Sequence, residues 1–347
     1  MGGSTPEMTV HRRGRILVTG GNGFIGRAIV TRLLSGGWSV RNLSRRADPQ
    51  LLSLGVECFQ GDVADMGAVE RACSGCVAVI HTAAKAGVWG RRTDFIETNL
   101  RGTENVLRAC RQNGVGVLVY TSSPSVVCDG RPVEGQDESL PYPRSFLCDY
   151  SETKALAEQA VLAADSPSLR TVALRPHLVW GPHDPHLLPR LVQRVQSGRL
   201  RIVGDGTNRV DTTYIDNAAD AHLLALEALL KPAAPCAGKA YFIANGEPVP
   251  LWELINRLLA AVGLPSVRRR IPARAAMAAG LALEVIHRVL ALPREPMMTR
   301  FVAQQLSMPH WFDLTAARRD LGYQPLVSTD EGLRRLRAHW ASRREEP

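Results

Sequence analysis

The stretch RILVT at residues 15–19, followed by GGNGFIG at residues 20–26, decides the fold. Its first part is dominated by apolar and β-branched residues, which predicts a buried strand. The glycines that follow have the spacing of a tight turn that opens a helix. Such glycines let backbone N–H groups and the positive end of a helix approach a pyrophosphate closely. The stretch therefore predicts a strand, a turn and a helix that together bind a dinucleotide.

Outward from this stretch, short apolar runs alternate with longer helix-like segments as far as residue 176. This alternation is typical of a parallel sheet with helices on both faces. The runs with strand character are RILVT, WSVRNLS, GVECFQGD, VAVIHTAA, VGVLVYTSS and LRTVALR. The sequence therefore predicts the α/β class, with a doubly wound parallel sheet.

Glycine and proline become more frequent beyond Pro176, and the helix-like segments there are separated by long connections. Because doubly wound folds bind ligands at the carboxyl ends of the strands, we expect a smaller, interleaved and mostly helical C-terminal lobe for the substrate. The predicted boundaries are a flexible leader at 1–14, a cofactor domain at 15–176 completed by about 208–245, and a substrate lobe formed by 177–207 and 246–347.

Composition and charge restrict the class of protein. The chain has 347 residues, of which 45% are hydrophobic and 22% are charged, and these values exclude disordered and membrane-embedded proteins. The 42 Lys and Arg residues against 33 Asp and Glu residues give a net charge of +9. This excess is partly terminal and otherwise scattered, whereas a nucleic-acid interface needs clustered cations with interleaved aromatic residues. We therefore expect no nucleic-acid partner.

The leader and the cysteines indicate the compartment. The segment MGGSTPEMTVHRRGR lacks the apolar region of a signal peptide. The seven cysteines are an odd number spread over a long chain, which favours reduced thiols in the cytoplasm. Cys73 and Cys76 form a C-x-x-C pair, but no second pair stands at metal-site spacing. We expect a cytoplasmic protein without a metal site.

The residues that end the second predicted strand indicate which dinucleotide binds. In dinucleotide-binding folds an acidic residue here contacts the ribose of NAD, whereas a cation accommodates the 2′-phosphate of NADP. This chain has Ser44, Arg45 and Arg46 at that position and no acidic residue. The sequence therefore predicts NADP(H), with these three residues at its adenosine end.

Tyr150 and Lys154 lie four residues apart at the start of a predicted helix, hence on one face. A neighbouring ammonium group is expected to lower the pKa of the tyrosine, which would make the phenol a proton donor or acceptor near neutral pH. Upstream, the predicted strand VLVYT ends in Ser122 and Ser123. A serine hydroxyl at this sheet edge can donate to a substrate carbonyl oxygen as that oxygen gains negative charge.

Several motifs agree with these predictions and resemble the extended short-chain dehydrogenase/reductase superfamily, which has the Rossmann fold. They are TGGNGFIG at 19–26, GDVAD at 61–65, HTAA at 81–84, NLRGTENV at 99–106, TSSPSV at 121–126, YSETK at 150–154, LRP at 174–176, LGYQP at 321–325 and EGL at 331–333. The resemblance implies that Ser123, Tyr150 and Lys154 are catalytic. It also implies that the following residues line the cofactor: Gly20, Gly23, Phe24, Ile25, Gly26, Asp62, Val63, Ala83, Ala84, Asn99, Tyr150, Lys154, Pro176 and His177. The chain departs from the pattern at Pro124, where relatives commonly have Ala, which leaves open whether Ser122 shares the role of Ser123.

The second half of the chain discriminates within the superfamily. Sugar-nucleotide epimerases and dehydratases typically carry an Arg-Asp pair whose Arg meets the substrate diphosphate, but this chain has Val210 before Asp211. The blocks RPHLVWGPHDPHLLPRLV and VGDGTNRVDTTYIDNAADAH instead resemble the 3β-hydroxysteroid dehydrogenase-like branch. With AAKAGVWG and MPHWF added, the chain most resembles the bacterial 2-alkyl-3-oxoalkanoate reductases of olefin biosynthesis.

This resemblance implies an oxidoreductase that uses NADPH to reduce the 3-keto group of a long-chain 2-alkyl-3-oxo acid to the 3-hydroxy acid. A lipophilic substrate of this kind needs an apolar pocket with a cation for the carboxylate, and the candidates are Trp89, Trp180, Arg190 and Arg209. Two alternatives stay open at this stage. One is an NAD(P)-dependent 3β-hydroxysteroid or sterol dehydrogenase, and the other is a sugar-nucleotide epimerase or dehydratase.

Further expectations concern partners. The segment 275–292 predicts an amphipathic helix that covers a lipophilic substrate or makes peripheral contact with a membrane. The resemblance implies a homodimer formed through helices at about 94–113 and 150–165. The instability of β-keto acids also suggests a pathway partner enzyme.

Overall fold

Seven parallel strands form the centre of the computed structural model, which describes residues 13–345. In spatial order they are β3 (Glu57–Gln60), β2 (Trp38–Ser44), β1 (Arg13–Thr19), β4 (Ala78–His81), β5 (Val117–Thr121), β7 (Arg170–Pro176) and β12 (Lys239–Ile243), numbered along the chain. β1 pairs with both β2 and β4, so the strand order reverses direction there. A doubly wound sheet binds its ligand at such a reversal, beyond the carboxyl ends of the strands.

Helices cover both faces of this sheet. In chain order the helices are α1 (Phe24–Ser35), α2 (Pro49–Ser53), α3 (Met66–Cys73), α4 (Arg92–Phe95), α5 (Gly102–Gln112), α6 (Asp149–Ala163), α7 (Leu187–Gln196), α8 (Ile215–Leu230), α9 (Leu251–Ala261), α10 (Ala273–Val289), α11 (Arg300–Ser307), α12 (Thr315–Leu321) and α13 (Thr329–Glu345). A π-helical turn at Ile96–Arg101 joins α4 to α5, and a 3-10 turn at Pro124–Val127 follows β5.

The alternation of side chains along β1 shows how the two layers are built. Ile16 and Val18 pack on one face with residues of α1 and α8, whereas Leu17 packs on the other with residues of α3, α5 and α6. Every residue of β4 and β5 is buried, as expected for strands with helices on both sides. Burial on both faces explains why the sequences of these two strands are mainly apolar and do not alternate between apolar and polar residues.

The remaining strands are short and support the C-terminal lobe. They are β6 (Val133–Gln136), β8 (Val179–Trp180), β9 (Ile202–Val203), β10 (Arg209–Val210), β11 (Thr213–Tyr214), β13 (Val249–Pro250), β14 (Arg270–Ile271) and β15 (His310–Phe312). A separate apolar core joins helices α7, α9, α10, α11 and α13, and Trp180 and Trp252 are among its largest side chains. The lobe is mostly helical and lies beside the carboxyl edge of the main sheet.

The predicted fold class is confirmed, since a parallel sheet flanked by helices carries a mostly helical lobe. Residues 1–12 of the expected leader lie outside the described residues, and positions 13 and 14 already belong to β1. The division into a cofactor domain and a substrate lobe stays a prediction.

Candidate active site

The glycine turn between β1 and α1 has the geometry of a phosphate cradle. Gly20 adopts a φ of +75°, and a Cβ there would lie 2.9 Å from backbone atoms of Ala83. A Cβ on Gly26 would overlap the carbonyl oxygen of Gly20, so the turn and the helix touch directly. α1 begins at Phe24 with no side chain capping its first N–H groups. These free N–H groups and the close approach of the backbone fit a pyrophosphate.

A pair of asparagines holds this turn in place, and sequence reasoning missed them. Asn42, buried near the end of β2, accepts a hydrogen bond from the backbone N–H of Gly21 at 2.9 Å. Its amide donates to the side chain of Asn22 at 2.7 Å, and Asn22 in turn donates to the carbonyl oxygen of Arg46. The signal available in the sequence was an asparagine near the end of the second strand, from which its side chain can bind the glycine turn.

The predicted adenosine end is open and basic. Ser44 is buried and donates its hydroxyl hydrogen to Asn42, whereas Arg45 and Arg46 are exposed. The next acidic residue, Asp48, is already committed because it caps α2 and forms an ion pair with Arg27. No described carboxylate therefore stands free at the end of β2, and two cations follow that end directly.

Other residues predicted to line the cofactor lie beside the same sheet edge. Ala84 lines the cleft at the carboxyl ends of the strands, and Ala83 packs against Gly20. Asp62 accepts a hydrogen bond from the N–H of Ala64, which shapes the turn around Val63. Asn99 is buried and binds the backbone of Lys85 through both its oxygen and its nitrogen. Asn99 thus fixes the backbone at Lys85, which directly follows Ala84 of the cleft.

Ser123, Tyr150 and Lys154 come together in one cleft of about 450 Å³ that also contains the glycine turn. β5 delivers the serine at its carboxyl end, and α6 presents the tyrosine and the lysine one turn apart. Pro124 occupies the first position of the 3-10 turn that follows Ser123, where its fixed φ is favourable. The Ala-to-Pro departure therefore stiffens the turn and leaves Ser123 in the cleft.

Both serines after β5 line the cleft, but their surroundings differ. The hydroxyl of Ser123 lies 3.0 Å from that of Ser125 and also hydrogen-bonds Tyr150. The hydroxyl of Ser122 is buried and has no hydrogen-bond partner within residues 13–345. A buried hydroxyl without a partner is costly, so a ligand atom in the cleft is a fitting acceptor or donor for it.

Burial dominates the titration of the tyrosine and the lysine. It raises the pKa of Tyr150 to about 12, although the hydrogen bond with Ser123 opposes that change. Burial likewise lowers the pKa of Lys154 to about 7, and Glu158 opposes this in part. The ammonium nitrogen donates to the carbonyl oxygen of Thr121 at 2.5 Å and lies 4.1 Å from the ring centroid of Tyr120. The predicted lowering of the tyrosine pKa by this lysine is therefore wrong for this arrangement, because burial raises that pKa and the opposing contribution comes from Ser123.

Behind the lysine lies a buried ion pair that sequence reasoning also missed. Glu158, one turn beyond Lys154 on α6, accepts hydrogen bonds from Arg175 through both carboxylate oxygens, and both side chains are almost fully buried. Tyr142 donates its hydroxyl hydrogen to the same carboxylate at 2.7 Å. An acidic residue on the buried face of a helix, together with the arginine of the LRP motif, was the available signal. The pair fixes α6 against β7.

His177 and the substrate candidate Trp180 lie away from the cleft, which corrects the prediction for them. Leu178 lines the cleft beside Pro176, whereas the ring of His177 turns inward to the carbonyl oxygen of Asp211 and to His310. Trp180 is buried in the lobe core and donates to Thr212. The indole ring of Trp180 therefore stabilises the lobe core and does not contact a ligand in the cleft.

The three other substrate candidates lie in different places. Arg190 lines the cleft, and Trp89 lines a second hollow that begins beside Cys148, two residues before Tyr150. Arg209 is exposed and donates to the carbonyl oxygen of Pro248, so it does not reach the cleft. Its strand β10 instead directs Val210 into the core.

The expected amphipathic helix is present as α10. Its inner side carries Ala276, Gly280 and Glu284, while Leu281, Val285 and Val289 are exposed. Among the described residues no helix has the length and apolarity needed to cross a membrane. The membrane contact and the homodimer stay predictions.

Comparison with known proteins agrees with this site. The family described as 3-beta hydroxysteroid dehydrogenase/isomerase matches residues 17–273. A Stenotrophomonas maltophilia protein named 2-alkyl-3-oxoalkanoate reductase is 53% identical over 330 residues, covering 94% of this chain and 100% of its own. The human sterol-4-alpha-carboxylate 3-dehydrogenase, decarboxylating, is 33% identical, covering 92% of this chain and 87% of its own.

Among solved structures, Thermus thermophilus UDP-glucose 4-epimerase in complex with NAD superposes with a TM-score of 0.69 at 29% identity, covering 94% of this chain and 99% of its own. The structural neighbours support a nicotinamide dinucleotide as the cofactor, which fits the glycine turn and the cleft. The family match and the close relatives together establish an oxidoreductase. With its glycine turn, its serine, tyrosine and lysine in one cleft and this sequence similarity, the chain belongs to the 3-beta hydroxysteroid dehydrogenase/isomerase family.

Proposed function

We propose that this protein reduces the 3-keto group of long-chain 2-alkyl-3-oxo acids with NADPH. The observation that carries the proposal is the 53% identity with a 2-alkyl-3-oxoalkanoate reductase along the whole length of that relative. The cleft supports it because a proton donor, an oxygen-binding hydroxyl and an arginine line the same space. An oxo acid needs these three groups.

The residues of the cleft have distinct roles in this reaction. Bound NADPH would supply the hydride that adds to the ketone carbon. The hydroxyl of Ser123 donates to the ketone oxygen, and Tyr150 transfers its phenolic proton to that oxygen, which completes the secondary alcohol. A pKa of about 12 keeps Tyr150 protonated at neutral pH, so it is ready to act as the acid. Lys154 would hold the nicotinamide ribose, and its buried amine lies one helical turn from the tyrosine.

The preference for NADPH over NADH rests on the end of β2. Arg45 and Arg46 are exposed there, and the nearest acidic side chain, Asp48, is bound to Arg27 and to α2. A 2′-phosphate would find two cations, whereas a 2′-hydroxyl would find no free carboxylate. Titration of the purified protein with both reduced cofactors tests this, and tighter binding of NADH would contradict it.

Oxidation of NADPH against a panel of substrates tests the reaction. The panel contains 2-alkyl-3-oxo acids, 3-ketosteroids and UDP-sugars, and we expect turnover with the first class. Tyr150→Phe removes the proton donor and is expected to lower kcat by about 10²-fold or more while NADPH still binds. Undiminished turnover in this variant would refute the mechanism.

A sterol or steroid substrate is the second candidate, because relatives of that kind are 33–36% identical over more than nine-tenths of this chain. A sugar-nucleotide substrate is disfavoured. Val210 is buried, and Arg209 is bound to the Pro248 carbonyl oxygen outside the cleft, so neither offers a cation to a diphosphate. Turnover of 3-ketosteroids but not of oxo acids in the same panel would favour the second candidate.

A further inference from the structure

Arg190 is the exposed arginine at the outer end of the catalytic cleft. Besides Tyr150, the other charged or titratable side chains that line this cleft are Lys154, Asp184 and His186. Asp184 is already committed, because its carboxylate accepts hydrogen bonds from three backbone N–H groups that begin α7. Lys154 is buried and donates to a backbone carbonyl oxygen. An anionic substrate group therefore finds its most accessible permanent cation at Arg190.

The present partner of Arg190 shows that its guanidinium accommodates a carboxylate. Glu295 accepts hydrogen bonds from both terminal nitrogens, at 3.3 and 2.8 Å, and thus occupies the fork of the guanidinium. Glu295 lies on the connection between α10 and α11. The arginine side chain is 46% exposed, and an exposed pair of this kind contributes only about 0–1 kcal/mol. A substrate carboxylate can replace Glu295 at little cost, since the arginine has a long flexible side chain.

A second cavity of about 470 Å³ opens on the other side of Arg190, which lines both spaces. It lies between α7, α10 and the connection that carries Glu295. Its apolar lining includes Ile271, Ala279, Leu283, Met297, Met298 and Leu306. Its volume is within the usual range of small-molecule sites, and methionine adapts to chains of different shape.

Three further arginines line this cavity, but each is bound to a neighbouring part of the lobe. Arg194 donates to the carbonyl oxygen of Met297, and Arg199 approaches the sulfur of the same residue at 3.7 Å. Arg201 donates to two carbonyl oxygens of its own loop, those of Gly198 and Leu200. These three cations are therefore bound within the lobe, whereas Arg190 lines both this cavity and the catalytic cleft.

We propose that Arg190 binds the carboxylate of the substrate and that the cavity beside it, which we call the branch cavity, holds the 2-alkyl chain. This inference rests on the proposed function and assigns its substrate subsites. In a 2-alkyl-3-oxo acid, one carbon carries both the carboxylate and the branch, and the ketone is its neighbour. With the ketone at Tyr150 and the carboxylate on Arg190, the branch starts at the junction of the two spaces and enters the apolar one.

Binding of 2-hexyldecanoate, a branched acid without a ketone, tests the carboxylate site without turnover. Calorimetric titration of the NADP-loaded protein is expected to show binding that Arg190→Met weakens by about tenfold or more. Arg257→Met is the matched control, because it removes an arginine of α9 that pairs with exposed Asp330 and lines neither cavity. Its affinity is expected to stay within about twofold of the wild type. A larger loss in Arg194→Met than in Arg190→Met would overturn the assignment.

The branch cavity is tested by filling it. Ala279→Trp places a large ring at its lining, and Ala282→Trp places the same ring on an exposed part of α10 outside it. We expect Ala279→Trp to weaken 2-hexyldecanoate about tenfold more than unbranched decanoate, whereas Ala282→Trp changes both alike. Leu283→Gln is a second test for the case that the ring at position 279 prevents folding. This polar replacement of similar length also lies at the cavity, and it should lower the preference for 2-hexyldecanoate over decanoate.

These outcomes separate the two proposals. Absence of 2-hexyldecanoate binding to the wild type, or equal effects of the Ala279 and Ala282 variants, would overturn the subsite assignment even if oxo acids are reduced. Branch-selective binding with no NADPH oxidation on any 2-alkyl-3-oxo acid would instead overturn the proposed reaction and leave the subsite standing.

Discussion

Replacing the buried lysine of the active site is expected to change the pH dependence of stability. The amine of Lys154 is almost fully buried, and burial lowers its pKa from the usual 10.5 to about 7. At about 1.4 kcal/mol per pH unit, this costs the folded state roughly 5 kcal/mol below pH 7, where the amine is charged in both states. Between pH 7 and 10.5 the folded protein releases the proton first, so the cost shrinks and wild-type stability rises with pH.

Lys154→Met removes this titration, because methionine carries no charge. The unfolding free energy of the variant minus that of the wild type should therefore fall as the pH rises, by about 2–3 kcal/mol between pH 6 and 9. Urea unfolding followed by tryptophan fluorescence measures this difference, and groups that titrate alike in both proteins cancel.

Tyr150→Phe is a matched control in the same cleft. The pKa of this tyrosine is about 12 in the folded protein and 10.0 in an unperturbed chain, and both values lie above the range measured. Its effect on stability should therefore be nearly constant from pH 6 to 9. A Lys154→Met difference that is equally constant, or that grows with pH, would refute the reasoning that burial sets the lysine pKa.

Three further changes test the cofactor site and its support. Arg45→Ala combined with Arg46→Ala should weaken NADPH by about tenfold or more with little effect on NADH, and equal losses in fluorescence titrations would contradict the phosphate contact. Glu158→Gln leaves the guanidinium of Arg175 buried without its counter-charge and should lower the unfolding free energy by about 3–5 kcal/mol, whereas a loss below about 1 kcal/mol would show that the pair is dispensable. Gly26→Ala brings a Cβ onto the carbonyl oxygen of Gly20, so cofactor binding should fall by about tenfold or more, and unchanged binding in a folded variant would contradict the close approach of helix and turn.

The cofactor half could be predicted from the sequence because local rules determine it. The glycine spacing after RILVT specifies a turn, and the four-residue interval between Tyr150 and Lys154 specifies one face of a helix, which is the geometry that the structure shows. Apolar runs specify the strands, and their carboxyl ends necessarily share one edge of a parallel sheet. Ser122 and Ser123 could therefore be placed at this edge from the strand pattern, whereas their association with Tyr150 was implied by the resemblance to the superfamily.

The lobe could not be predicted in the same way, because its contacts join distant segments. Arg190 meets Glu295 across 105 residues, and His177 turns toward His310 across 133 residues. A tryptophan such as Trp180 gives the same sequence signal whether it lines a pocket or fills a core. The sequence also did not reveal how strongly burial alters Lys154, since that depends on the elements packed around it.

The pKa values of the side chains in the cleft explain why we expect the charged group of the substrate to bind at the outer end of the cleft. Burial lowers the pKa of Lys154 to about 7, and it raises the pKa of Tyr150 to about 12. Near neutral pH the tyrosine is therefore neutral and the buried lysine is only partly charged, so the inner wall offers a substrate anion no fully charged group. Arg190, exposed and always charged, is the contrasting group at the rim. On the proposed assignment, selectivity for an anionic oxo acid over a neutral sterol depends on this arginine, whereas the catalytic residues serve both kinds of ketone equally.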